Sequence, residues 1–303
     1  MPLSNGTSFE PPVLAPALSL LALQNPYHYT PSKTASTAMT VVFAISTVAH
    51  TGQAVRYKLW WLLPTVVLCG VMEVVGWAAR VWSHSDISNM TPYIIQSTCT
   101  VLGPTPLLAT SFIIFGEVIR RLGSAYSRIP PKYYAAVFLS CDVIALLVQG
   151  AGGGLAATAS SSTTANPKLG SNILLGGIVF QLAVICVFSG CTVEYLFRYF
   201  TDHALRPAID AEGRISKRGA CTTRIKVMLA GLAFNTVVLF IRAVYRTIEL
   251  ADGWGGRIIS TELYFVILDG VMVLLAMYSL NFIHPWWFLF IDSPKNGLYE
   301  GSL

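Results

Sequence analysis

Seven separate stretches of this chain are each long and apolar enough to cross a bilayer, and that pattern limits the fold more than any motif does. A helix needs about 20 mostly apolar residues to span the hydrocarbon core. Only helices and closed barrels satisfy their backbone there. The stretches fall at 35–54, 59–82, 91–119, 133–157, 170–197, 225–248 and 260–283. They predict an all-α polytopic membrane protein of seven transmembrane helices, with an arm over 1–34, a helical domain over 35–290 and a tail over 291–303. Composition agrees: 54% of residues are hydrophobic and 12% charged, about half the charged share of a typical soluble domain. In the third stretch, Gly103, Pro104 and Pro106 predict a kink or break near the middle.

The distribution of basic residues sets the expected orientation. The first and third connecting loops hold Arg56, Lys58, Arg120, Arg121, Arg128 and Lys132, and the fifth holds seven more lysines and arginines between Arg198 and Lys226. The arm and the remaining loops hold only Lys33, Arg80, Lys168 and Arg257. The excess of positive charge on one side predicts an N-terminus outside and a C-terminus in the cytoplasm. The basic loops are also candidates to attract anionic lipid. Two glycosylation acceptors, Asn5 and Asn89, fall on the expected outer side. The run Val13 to Gln24 is short, contains Pro16 and follows no basic residue. It reads as an outer arm on the membrane surface rather than as a signal peptide.

Ionisable residues inside spans cost about 2.5–3.5 kcal/mol each at the helix centre, so they should face protein or water. Here their spacing repeats. Glu73 and Arg80, Asp142 and Gln149, Arg242 and Glu249, and Glu262 and Asp269 are each seven residues apart, close to two helical turns and therefore on one face. Arg246 lies between Arg242 and Glu249 on the same stripe. Four helices with polar faces predict a shared polar interior. Glu73, Glu249 and Glu262 balance Arg80, Arg242 and Arg246 in the expected outer half, with Gln96 and Gln149 beside them. This set is read either as ion-paired staples between helices or as the lining of a polar cavity open to the outer face. Asp142 and Asp269 fall near the midplane, as does Gln181, and neither carboxylate has an evident positive partner at its depth. Asp142 and Asp269, with Gln149, Gln181 and Gln96, are therefore the candidates for touching a head group or cation.

Other features have plainer accounts. Glu117 beside Arg120 and Arg121 reads as an interfacial ion pair. The run QGAGGG, Gln149 to Gly154, permits either close helix packing or a flexible, unwound helix end lining a path. His284 sits where Pro285 ends the seventh span, and Trp286 and Trp287 read as an interfacial anchor. The six cysteines show no disulfide or zinc spacing and read as small core residues. No cofactor, metal or nucleic-acid partner is expected. No GxxxxGK[ST] phosphate loop occurs, which argues against ATP hydrolysis by this chain.

The segments CGVMEVVGWAAR (69–80), DVIALLVQGAGGG (142–154), GGIVFQ (176–181), IRAVYRTIELADGWGG (241–256) and ELYFVILDG (262–270), followed by NFIHP (281–285), stand in this order along the helices. They resemble the fungal lipid-translocating exporters, or RTA-like proteins, over about Tyr29 to Trp287. That family is associated with aminocholesterol resistance and sphingoid long-chain-base export. The polar residues found by spacing are those that carry the motifs. Where similar proteins end the third span with a tyrosine and a Gly-Arg pair, this chain has Phe112-Ile113 and Gly116-Glu117, so substrate identity is not carried over. The resemblance implies a multi-pass protein, expected in the plasma membrane, that moves amphiphiles such as long-chain bases or sterol-like and drug-like cations and gives tolerance to toxic ones. Its partners are then amphiphilic small molecules and membrane lipids.

A seven-span receptor or stress sensor, or a regulator of other lipid transporters, shares this topology. Against a rhodopsin, the seventh span has no lysine for a Schiff base; against a typical G-protein-coupled receptor, no expected outer loop has a cysteine and no NPxxY ends the seventh span. An intramembrane zinc hydrolase would need histidines at ligand spacing, which His28, His50, His84, His203 and His284 do not offer.

Overall fold

The computed structural model describes residues 25, 27–159, 167–205, 218–253 and 256–291. Asn5, the run Val13 to Gln24, most of the tail and the centre of the fifth loop lie outside the described residues. Seven helices long and apolar enough to cross a membrane are present: Lys33–Tyr57, Trp60–Ser85, Met90–Leu122, Tyr133–Ala156, Lys168–Thr201, Thr223–Asp252 and Glu262–Phe290. They match the expected spans in number and order; all but the fourth run a few residues longer at one or both ends.

The helix ends follow local chemistry. Ser32, Asn89 and Thr222 accept hydrogen bonds from Ala35, Thr91 and Ile225 N–H groups and so cap the first, third and sixth spans. Gly253, at φ 80°, ends the sixth span in a conformation that favours glycine.

The third span is the axis of the bundle. In its central stretch 83% of residues are buried, against at most 50% in any other span. It breaks as expected: one helix runs Met90–Leu102, and a second begins at Pro104 after Gly103. Aromatic side chains fill the space between its second half and the fourth and fifth spans. Phe112 meets Phe138 and Phe188 at 5.2 and 4.7 Å between ring centroids, and Phe115 meets Tyr134 and Tyr195. The fourth and fifth spans pack backbone to backbone at their far ends. A Cβ on Gly152 would lie 2.3 Å from Leu174 N, and one on Gly170 the same distance from Ala156 N. The apolar residues left outside, among them Val48, Leu147, Val193 and Phe282, are exposed as a lipid-facing surface should be. Cys186 lies there too, a departure from the expected core role; the other cysteines are buried or half-buried.

The two ends of the bundle differ. At the basic end, Glu117 pairs with Arg120 and Arg121 at 2.6 and 2.7 Å, and Glu194 pairs with Arg128 and Arg198 at 2.6 and 2.7 Å. At the opposite end, residues 27–32 fold onto the helices. Tyr27 and Ser83 hydroxyls lie 2.9 Å apart, Tyr27 meets the Tyr93 ring edge-on at 4.8 Å, and Ser32 N–H donates to Glu262 at 2.8 Å.

Candidate functional site

The sixth span turns Arg242, Arg246 and Glu249 into the bundle, all buried, and each finds a partner. Arg246 holds Asp269 through two nitrogens, at 2.7 and 2.6 Å, in the bidentate geometry that suits a guanidinium and a carboxylate. It also donates to Glu249 at 2.8 Å and to the Thr100 hydroxyl at 3.0 Å. Arg242 ion-pairs with the same Asp269 at 2.9 Å. Tyr245 completes the Glu249 shell with a hydroxyl at 2.8 Å.

Arg242 has a second task that follows from the break in the third span. Proline has no N–H, so Pro104 cannot donate to the carbonyl four residues earlier, that of Thr100. Arg242 donates to that carbonyl instead and reaches Val101 O at 3.4 Å. A cation on one helix thus satisfies a backbone group that proline frees on its neighbour, as a low-dielectric interior requires.

Arg80, on the second span, is the centre of a second cluster. It donates to Glu262 at 3.0 Å, to the Tyr29 hydroxyl at 2.7 Å and to Gln96 at 3.4 Å. The Phe265 ring joins the two clusters, with the Arg80 and Arg246 guanidinium groups 4.7 and 5.1 Å from its centre, within cation–π range. Glu73 is fully buried and accepts from Trp77 Nε1 at 3.2 Å; its other oxygen has no hydrogen-bond partner among the described residues.

Asp269 therefore corrects the expectation that it lacks a positive partner: two arginines hold it. The reason is helix geometry. Phe265–Val271 is a π-helical stretch, with wider turns than an α-helix. The seven-residue step from Glu262, in the α-helical turn Glu262–Tyr264, to Asp269 runs mostly through this stretch and does not return to one face, so Glu262 faces Arg80 while Asp269 turns toward the sixth span. Asp142 meets the expectation: it is buried and neither carboxylate oxygen has a partner among the described residues.

Next to these clusters lies a cavity of about 650 Å³, within the usual range for a small-molecule site. Arg80, Arg246, Glu249, Gln96 and Gln149 supply its polar wall, and Met90, Ile94, Leu102, Leu174, Leu250 and Phe265 much of its apolar one. Asp142, Asp269, Gln181, Glu73, Arg242 and Glu262 stand behind the wall or away from it. Gln181 bridges instead, accepting from Gln149 and donating to Thr105, both at 3.0 Å. The glycine run divides. Gly152 packs against the fifth span, whereas Cβ atoms on Gly150, Gly153 or Gly154 would meet nothing within 4 Å, and these three line the cavity. The helix stays wound through the run, so the unwound alternative is not what the structure shows.

Spacing missed the arm. Tyr27, His28 and Tyr29 close the cavity at its end, and burial pushes the Tyr27 phenol up to about 12. Burial also raises the Tyr29 phenol, although Arg80 beside it acts the other way. The available signal was the aromatic YHY immediately before the first span. Among the described residues no group of three or more histidines, cysteines or acids is placed to hold a metal ion.

Bundle and chamber together define a class, the multi-pass helical membrane protein with a cavity of small-molecule size at one end. The chain belongs to the RTA1-like protein family, whose model matches residues 66–291. Among its relatives, it is 26% identical to the sphingoid long-chain base transporter RSB1 of Saccharomyces cerevisiae over 93% of this chain and 80% of that one. It is 27% identical to protein RTM1 of the same species, over 82% and 88%. Protoporphyrin uptake protein 1, also from that yeast, is 26% identical over 84% and 90%. No solved structure matches it.

Proposed function

We propose that this protein moves lipid-like amphiphiles across the membrane, with a cationic head group held at the polar wall of the cavity and the tail against its apolar wall. The observation that carries this reading is the cavity itself, with charges on one wall and aliphatic side chains on the other. Four buried or half-buried carboxylates, Glu73, Glu249, Glu262 and Asp269, surround three guanidinium groups, Arg80, Arg242 and Arg246. Glu249, Glu262 and Asp269 are ion-paired with the three arginines and Glu73 has no ion pair among the described residues, so no arginine stands uncompensated against an incoming ammonium group. Glu249 is the carboxylate that lines the cavity, and Gln149 Oε1, in another lining residue, has no partner among the described residues and is free to accept a hydrogen bond from a head group.

Relatives named for a long-chain base and for protoporphyrin point to the same substrate class. On this reading Asp269 orders the two arginines rather than touching cargo. Residence in the plasma membrane with the cavity facing outward, export, and tolerance of toxic amphiphiles complete the proposal. The test is flux of a fluorescent sphingoid base in vesicles holding the purified full chain. Glu249→Gln should lower flux at least about tenfold, the loss expected for one charge-assisted contact. Saturable binding with no flux for any amphiphile would replace transport with the receptor reading.

A further inference from the structure

Below the cavity, one face of the fourth span carries buried polar atoms that lack hydrogen-bond partners among the described residues. Gln149 Oε1, both oxygens of Asp142 and the Tyr134 hydroxyl lack hydrogen-bond partners among the described residues. At 1.5 Å per residue, Asp142 lies about 10 Å along the helix from Gln149, and Tyr134 about 12 Å further toward the basic end. Two neighbouring spans add Thr110 and Thr192, whose hydroxyls are also buried with no partner at hydrogen-bond geometry among the described residues, Thr192 lying beside Tyr134. The result is a polar track from the floor of the cavity toward the other end of the bundle, with a single acid in it.

Two barriers interrupt the track. The Gln149–Gln181–Thr105 bridge ties the fourth, fifth and third spans together above Asp142. Below Asp142, Phe112, Phe138 and Phe188 pack in mutual contact beside Tyr134. Nothing as large as a head group passes either barrier in this packing, whereas water and a proton need only small displacements.

Charged neighbours are missing as well. Of the third span, Met90–Leu102, which also packs against the fourth, has only Tyr93 and Cys99, and Pro104 to Gly116 has no acid or base; from Leu169 to Val193 the fifth has only Cys186 and Cys191. Cys186 is exposed, and Cys191 lies beside Tyr134 toward the basic end. On the fourth span itself Cys141 and Tyr134 are the nearest titratable groups. An ion pair therefore does not explain why an acid is buried here.

We propose that Asp142 is the proton site of the transport cycle: it takes up a proton from one side of the membrane and releases it to the other, coupling cargo movement to a proton gradient. The carboxylate oxygen gains the proton when one barrier opens to water and loses it when the other does; no other bond changes. This rests on the transport reading, since coupling needs a cargo.

The test uses a trimethylated sphingoid base, whose ammonium has no proton to lose, so a pH gradient cannot move it unaided. Coupling of one proton per cargo predicts about tenfold accumulation per unit of pH difference across vesicles holding the wild-type chain. Asp142→Asn should abolish accumulation, leave exchange at equal pH within about twofold, and Asp142→Glu should restore the gradient response. Accumulation by Asp142→Asn, exchange by the wild type without accumulation, or loss of exchange in a folded Asp142→Asn chain would each overturn the proposal. Absence of any amphiphile flux from the wild type would instead remove the transport reading. In that event infrared difference spectra decide the proton site separately. A carboxyl band that changes with pH and vanishes in Asp142→Asn supports it, and a pH-insensitive spectrum overturns it.

Discussion

Arg246 is the residue on which the polar cluster depends most. It satisfies Asp269 and Glu249 together, and it is itself buried. Arg246→Ala leaves two buried carboxylates short of a partner, and the expected loss is about 3–5 kcal/mol of stability. Arg246→Lys keeps the charge but not the two-pronged grip, so its loss should be smaller. Unfolding midpoints in detergent check both; an Arg246→Ala chain as stable as wild type would show that Arg242 alone carries Asp269. Most of this cluster was legible, because burying Arg242, Arg246 and Glu249 on one stripe of an apolar helix demands opposite charges nearby. The partner of Asp269 was not. Its assignment used α-helical spacing, and a π-helical stretch cannot be read from apolar periodicity. The arm tyrosines were also invisible, since a segment of prolines, tyrosines and a histidine carries no period at all.

At the scale of elements, the broken third span is the part that sequence foretold and whose purpose it left open. Gly103, Pro104 and Pro106 mark the break, but only the structure shows Arg242 filling the backbone gap. Pro104→Ala restores an N–H that competes for the Thr100 carbonyl. The helix should straighten, and Arg242 should lose part of its anchor. Spin labels at Thr91 and Arg120, both exposed, would report a longer distance between them in the variant; an unchanged distance would show that packing and not the missing N–H bends the helix. The pairing of the fourth and fifth spans through Gly152 and Gly170 was half legible. Small residues signalled close approach, yet nothing in the run QGAGGG distinguished the glycine that packs from the three that face the cavity.

For the whole molecule, seven spans with a basic end and a cavity end leave one global property to establish, the side on which the cavity opens. The distribution of lysine and arginine predicts the outside. Cysteines placed singly at Asp86, at the cavity end, and at Ala204, at the basic end, are both on exposed positions. A membrane-impermeant maleimide applied to intact cells should label the first and spare the second. The reverse pattern would turn the proposed exporter into an importer with the same site.

The size of the chamber is set in part by side chains that are not there. Gly150, Gly153 and Gly154 border it and have open space where a Cβ would sit, so alanine at each adds one methyl without displacing a neighbour. Each such change also strengthens the fourth helix by about 0.5–1 kcal/mol. Width and rigidity are therefore tied together, and a roomier gate is a weaker one. Stepwise alanine replacement should act as a ruler, turning away the bulkier of two cargoes by about 1–3 kcal/mol per methyl while the melting point rises. Uptake of a graded series of amphiphiles reads the length of that ruler directly.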